Sequence, residues 1–451
     1  MKDKFIIENG KCVDLSFEGK GVVKTLYGVC FVDGLFPGEV AYIQTNFKRA
    51  GSYFGKVTRL VTKSPDRIQP RCGVCTACGG CQFQQLSYPA QLKYKTNKVK
   101  DAFRRHLGED LKVNDCLGME SPYNYRNKIQ VPIGRDPHGH IVTGFYRSGT
   151  HKIVPIDECH IEDLRAGVIL KEIKKLIKEF RYDPYDEDTR RGIFRHVLIR
   201  TSYHYDEIMV TLVTNADEFK GKNNFVKELI KRCPNIKTIV QNINTRDTNV
   251  ILGEKERVLY GTGTIKDSIL GVDFIISSKS FFQVNPIQVE TLYSKAIEYV
   301  KLSKDDNVFD AYCGIGTISL IASKKCKSVL GVEIVNDAIK DANKNAKING
   351  ITNAKFICGD AGETLEELAN EDTHFDCVFV DPPRKGLDEK FIKSLLRVSP
   401  KKIVYVSCDP ETLARDINIL KEKYQIKLIQ PVDMFPMTFH VETIVGLILK
   451  K

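Results

Sequence analysis

The chain has 451 residues, 42% of them hydrophobic and 28% charged, with 68 Lys and Arg against 57 Asp and Glu for a formal net charge of +11. Such a length gives room for about three ordinary domains, so a lone small binding module is excluded. Apolar runs such as Thr443 to Leu449 fall far short of the roughly 18 residues that cross a bilayer, and the opening MKDKFIIENGKC lacks the apolar core of a leader, so a cytoplasmic protein with no membrane contact is expected. The positive balance suits a polyanionic partner such as nucleic acid, although a modest excess is also ordinary solubility. Fourteen cysteines in a chain without a leader read as reduced thiols, and clustered ones as metal ligands or catalysts.

Residues 1–62 alternate apolar and polar positions between glycines, the pattern of short antiparallel strands, and a small β-barrel is the expected closure. Cys72, Cys75, Cys78 and Cys81 then recur every third residue. Their spacing alone allows zinc or an iron–sulfur cluster, including a ferredoxin-like use of the first three. The stretch Tyr88 to Leu107 follows with Lys93, Lys95, Lys98, Lys100, Arg104 and Arg105 at helical spacing, as a basic face toward phosphate or simply a solvated one. Strand-like runs KIQVPIG, HVLIRTS, IMVTLVT and KTIVQNI make residues 70–275 a central α+β domain, onto whose neighbour the basic helix can pack.

From residue 276 to 451 short apolar strands alternate with longer helical segments, which predicts an α/β domain of Rossmann type with a parallel sheet covered on both faces. Its first strand ends in Asp310-Ala-Tyr312-Cys-Gly314-Ile-Gly316, a turn whose glycines admit close approach of a ligand. Glu333 ends the second strand, where a carboxylate can accept both ribose hydroxyls; Asp360 and Asp381 end the third and fourth. No Walker lysine or full dinucleotide fingerprint is present, whereas S-adenosylmethionine, with a ribose, no phosphate and a positive sulfur, suits an acid-lined crevice. The fifth strand ends Ser407-Cys408-Asp409-Pro410, bringing a thiol to the crevice rim, and Glu442 starts a strand beside the sheet.

With SFFQVNP at 280–286, DAYCGIGT at 310–317, DPPRKG at 381–386, SCDP at 407–410 and HVET at 440–443, the chain resembles the RNA uracil-5 methyltransferase family over essentially its whole length. The resemblance implies a class I methyltransferase domain that forms 5-methyluridine. It implies S-adenosylmethionine contacts from Gln283, Tyr312, Glu333 and Asp381, beside the glycine turn at Gly314 and Asp360, with Cys408 as nucleophile and Glu442 as proton acceptor. The N-terminal barrel is similar to a TRAM domain, an OB-like RNA-binding module typical of members acting on ribosomal RNA, so 23S ribosomal RNA is favoured over transfer RNA. The family's cysteine pattern implies a 4Fe–4S cluster on Cys72, Cys78, Cys81 and Cys159, with Cys75 a departure from the simplest form. A monomer is expected. Cytosine-5 methylation uses similar thiol chemistry; base-amine methylation is disfavoured because Arg384 replaces the aromatic residue of the DPPY-type loop. A non-catalytic RNA-binding protein with a vestigial cofactor fold is the reading from another class.

Overall fold

The computed structural model describes residues 4–147, 150–371 and 373–451. Strands β1 (Ile6–Leu15), β2 (Gly21–Thr25), β3 (Gly28–Asp33), β4 (Val40–Arg49) and β5 (Ser52–Thr62) close into a barrel in the order β1-β2-β3-β5-β4. Period-two alternation turns Cys12, Val23, Cys30, Val32, Ala41 and Ile43 into its core. Glu39 is buried beneath the barrel and accepts from the Arg67 guanidinium at 2.5 and 2.7 Å, which ties the barrel to the chain that leaves it. A buried charge needs this kind of paired, hydrogen-bonded partner.

The single turn α1 (Cys75–Cys78) and the long helix α2 (Tyr88–Leu107) come next. They precede strands β6 (Lys128–Arg135), β7 (Ile141–Tyr146) and β8 (Ile153–Pro155), helix α3 (Leu164–Glu179), strands β9 (Phe194–Thr201) and β10 (Ile208–Thr214), helix α4 (Lys222–Arg232), and strands β11 (Ile236–Ile243) and β12 (Lys255–Tyr260). These strands form a mixed sheet in the order β12-β11-β10-β9-β6-β7-β8. Helices α3 and α4 cover one of its faces through Ile169, Ile173, Leu176, Phe225 and Leu229.

A hairpin of β13 (Thr264–Ile269) and β14 (Val272–Ser277) leads through α5 (Pro286–Val300) into β15 (Asn307–Ala311), α6 (Thr317–Ser323), β16 (Ser328–Glu333), α7 (Asn336–Ile348), β17 (Ala354–Cys358), α8 (Ala361–Asn370), β18 (Cys377–Val380), α9 (Glu389–Val398), β19 (Lys402–Ser407), α10 (Pro410–Leu420), β20 (Tyr424–Val432) and β21 (Glu442–Leu449). The sheet order is β17-β16-β15-β18-β19-β21-β20, with β21 antiparallel to both its neighbours. The order reverses between β15 and β18, and at such a switch point the carboxyl ends of parallel strands open a crevice.

Successive strand residues pack on opposite faces, Val308, Phe379 and Val404 against α5, α6 and the hairpin, Phe309, Val378 and Ile403 against α8, α9 and α10. Helix α2 joins the second layer through Val99, Ala102 and Phe103. Lys95 and Lys98, expected on a basic face turned to phosphate or solvent, instead turn inward at 0% and 6% exposure. Arg104 pairs with Asp110 and Asp101, and Arg105 with Glu411. Among the described residues no helix is long and apolar enough to cross a membrane.

Candidate functional site

The turn after β15 is wound by left-handed residues, with φ of +65° at Tyr312, +56° at Gly314 and +83° at Gly316. A Cβ on Gly316 would sit 3.0 Å from the Phe356 ring, so that glycine is demanded by packing as well as by φ. A Cβ on Gly314 would meet nothing within 4 Å, leaving its backbone open to a ligand. The Gly314 N–H donates to Glu333 Oε2 at 3.2 Å and the Val335 N–H to Oε1 at 2.9 Å, which fixes this carboxylate at the end of β16.

Asp310 is 1% exposed. Its Oδ2 accepts from Ser319 Oγ at 2.5 Å and its Oδ1 has no hydrogen-bond partner among the described residues. Burial, with Asp381 adding to it and Ser319 opposing, pushes Asp310 up to about 7; burial alone pushes Asp381 up to about 7. A cation beside these two acids restores their charged forms. Buried Tyr293 touches the Thr317 and Gln283 side chains and faces Asp381 and Asp310. Gln283 is held from the central domain, where the Asn127 backbone N–H donates to Val284 O at 2.9 Å and Asn127 Nδ2 to Gln283 O at 3.4 Å. Asn285 caps α5 and donates to Met434 O at 3.1 Å. Tyr312 packs its ring 5.8 Å from Phe391. Asp360 is placed differently from the other acids: it caps α8, its Oδ1 accepting from the Gly362 and Glu363 N–H groups, and it stands beside Tyr312 at the rim.

Strands β19 and β21 pair antiparallel through Ser407 and Thr443. Continuing that register by one residue sets Cys408 opposite Glu442, and directly opposed residues share a face. The half-buried Cys408 thiol is pushed up to about 11 by burial and by Glu442, while Arg384 pulls it down by charge and by a direct side-chain interaction. Glu442 is buried and pushed up to about 8 by burial and Asp381, again against Arg384. Thiol, carboxyl and guanidinium therefore form one coupled group beside the acids of the crevice. Arg384, read from the sequence only as an argument against amine chemistry, is the residue whose part was missed; its signal was the cation inside DPPRKG.

The chain leading into Glu442 is anchored by α2. Lys95 Nζ reaches Asp433 Oδ1 at 2.5 Å and Phe435 O at 3.0 Å, Tyr88 Oη donates to Asp433 at 2.9 Å, and Gln91 Oε1 accepts from the Met437 N–H at 3.0 Å. Lys98 Nζ donates to Phe439 O at 3.0 Å and lies 3.9 Å from the Phe17 ring centroid. Burial draws Lys98 down to about 7, Asp409 opposing. A cleft of about 670 Å³ between the barrel and α2 is lined by Phe17, Phe31, Tyr94, Lys93, Lys98 and Arg105 among others.

Cys72, Cys78 and Cys81 lie on or beside α1, and Cys81 and Cys159 pack against Met119, Tyr125, Ile161 and Met437. Burial, then Cys78, Cys72 and Cys75, pushes Cys81 up to about 12, and Cys159 is raised by burial, Glu162 and Cys81. These thiols are near enough to oppose one another's ionisation, and a bound cationic centre would reverse that. Among the described residues, however, no three His, Cys, Asp or Glu side chains are arranged to hold a metal ion.

Residues 87–451 match the family model of tRNA (uracil-5-)-methyltransferase. A protein from Clostridium tetani named as an uncharacterized RNA methyltransferase is 44% identical over 429 residues, 95% of this chain and 93% of its own, and one from Halalkalibacterium halodurans is 42% identical over 440 residues, 97% of this chain and 96% of its own. Among solved structures, the Pyrococcus abyssi tRNA (uracil-54, C5)-methyltransferase in complex with S-adenosyl-L-homocysteine superposes with a TM-score of 0.79 at 29% identity, covering 98% of this chain and 99% of that one. That match spans the N-terminal barrel too, so the barrel does not by itself separate ribosomal from transfer RNA substrates. With its glycine turn, its acid-lined crevice and relatives matched along nearly its full length, the chain belongs to the RNA uracil-5 methyltransferase family, whose members are S-adenosylmethionine-dependent enzymes.

Proposed function

We propose that the enzyme methylates carbon 5 of a uridine in RNA through a transient bond between Cys408 and carbon 6. The observation that carries this reading is the shared face of half-buried Cys408 and buried Glu442, electrostatically coupled groups with Arg384 acting on both. The unpartnered Asp310 Oδ1, the open face of Gly314 and the fixed Glu333 carboxylate fit S-adenosylmethionine. When bound, it supplies a methyl group on a positive sulfur.

Uracil carbon 5 is too weak a nucleophile to attack that methyl unaided. Addition of the Cys408 thiolate to carbon 6 pushes electrons onto carbon 5, which then takes the methyl. Glu442 removes the carbon 5 proton, and the electrons of that C–H bond reform the ring double bond and expel the thiolate. Arg384 favours the charged forms of both groups. The base must leave its stack to meet Cys408, so a single-stranded segment suits the site.

Ribosomal RNA is the substrate class we favour, as the resemblance to the ribosomal-RNA branch implies; the archaeal structural relative, named for transfer RNA and matched over the barrel as well, supplies the competing arm. We further propose that Cys72, Cys78, Cys81 and Cys159 hold a 4Fe–4S cluster that organises the fold around Met437, since methyl transfer consumes no electrons. Glu442→Gln incubated with substrate RNA and S-adenosylmethionine should accumulate a protein–RNA adduct resistant to denaturing electrophoresis; normal turnover by this variant would remove Glu442 from its role.

A further inference from the structure

We infer that Lys98 is a positioning residue that joins the barrel to the chain segment carrying Glu442. The inference rests on the reading of Glu442 as the base. Three sets of contacts meet at one junction. Lys98 donates to Phe439 O at 3.0 Å and lies between two rings, 3.9 Å from the centroid of Phe17 in the barrel and 4.8 Å from that of Phe439. The next turn of α2 grips the same barrel segment, as Tyr94 Oη donates to Ser16 O at 2.8 Å and Phe17 O at 3.0 Å. From the barrel side, a Cβ on Gly19, whose φ is +75°, would approach the Phe83 ring to 2.8 Å and Phe439 Cβ to 3.1 Å. The barrel turn thus packs directly on Phe439, three residues before Glu442.

His440, next in the chain, packs its ring against Phe439 with centroids 4.3 Å apart and planes tilted by 35°, and faces Arg384, Lys98, Lys95 and Asp409, which couples Phe439 to the groups around Cys408. The long aliphatic stem of a lysine fills the gap between rings while its amine holds a carbonyl. Loss of its proton does not break the link, because a neutral amine still donates. Its fixed carbonyl sets where the strand bearing Glu442 begins, and displacement of a reacting group by about 1 Å costs up to about a hundredfold in rate.

The test compares wild type, Lys98→Met, Lys98→Arg and Phe17→Leu as full chains. Steady-state turnover on RNA, S-adenosylmethionine affinity, and amide hydrogen exchange across residues 438–443 are read in the same samples. Lys98→Met should lower kcat by about tenfold or more with KM for RNA and cofactor affinity unchanged, and should speed exchange across 438–443. Lys98→Arg should recover most of kcat, and Phe17→Leu should reproduce the exchange effect in part without touching Lys98. Unchanged kcat, unchanged exchange, or a raised KM at normal kcat overturns the inference, the last making Lys98 an RNA contact. A wild-type enzyme that forms no 5-methyluridine refutes the reading of the site instead; the exchange comparison then still decides whether Lys98 holds the segment.

Discussion

Three carboxyl groups, Asp310 and Glu442 buried and Asp381 half-buried, set the pH behaviour of the site. Asp310 and Asp381 at about 7 and Glu442 at about 8 are each raised first by burial. A carboxyl whose folded pKa is raised gives stability that is full below the ordinary carboxylate range and is lost as pH rises through the folded value. The ligand-free protein should therefore lose stability progressively from about pH 4, where the unfolded carboxyls ionise, to about pH 8, where the folded ones have done so, and S-adenosylmethionine, bringing a positive sulfur to Asp310 and Asp381, should flatten that loss; thermal denaturation across this range with and without cofactor checks it. Glu442 must be ionised to accept a proton, so single-turnover product release should accelerate as pH rises through about 8. Arg384→Gln should move that profile to higher pH, since Arg384 lowers both Cys408 and Glu442; an unmoved profile would deny it this part. Cys408→Ala should abolish turnover while cofactor binding, read by calorimetry, stays intact.

At the scale of elements, the site depends on the glycine turn after β15 and on the grip of α2 upon the chain before β21. Gly314→Ala meets no protein atom, so its left-handed backbone costs only about 1–2 kcal/mol of stability, while the new methyl occupies the open approach; cofactor affinity should fall far more than the unfolding midpoint. Asp433→Asn leaves Lys95 charged and buried and should cost roughly 3–5 kcal/mol in chemical denaturation. The glycine turn and Glu333 at its strand end were legible in the sequence, because strand ends and motif spacing are local, whereas the pairing of Cys408 with Glu442 across β19 and β21 was expected only from the family resemblance. The inward turn of Lys95 and Lys98 was not, because what buries Lys95 is an ion pair to a residue 338 positions away and what holds Lys98 is a carbonyl 341 positions away. Composition reads such lysines as surface. The capping of α8 by Asp360 is local but hidden for another reason: a strand-end acid before a helix serves a ligand or an amide pair equally well, and here it takes the amides.

Across the whole molecule, α2 is at once the floor of the barrel cleft, a layer of the α/β domain and the clamp on residues 433–439, so one helix joins the barrel to the chain segment that leads into β21. The cysteine locus abuts this support, since Cys81 and Cys159 pack with Met437 and the Phe83 N–H donates to Met437 O at 3.0 Å. Protein purified without oxygen should carry about four iron atoms per chain, and Cys81→Ala or Cys159→Ala should lose them together with thermal stability; zinc in place of iron would overturn the cluster. That chain regions this distant in sequence converge was visible beforehand only for the cysteines, whose spacing advertises a shared ligand, and the family resemblance supplied their distant partner. The most direct test of the central claim is nucleoside mass spectrometry of unmodified ribosomal and transfer RNA after incubation with the enzyme and methyl-deuterated S-adenosylmethionine. Labelled 5-methyluridine is expected in the ribosomal fraction, and none from Cys408→Ala. Label in 5-methyluridine of transfer RNA alone would contradict the proposed substrate, and label only in 5-methylcytidine or an amine-methylated base would contradict the chemistry.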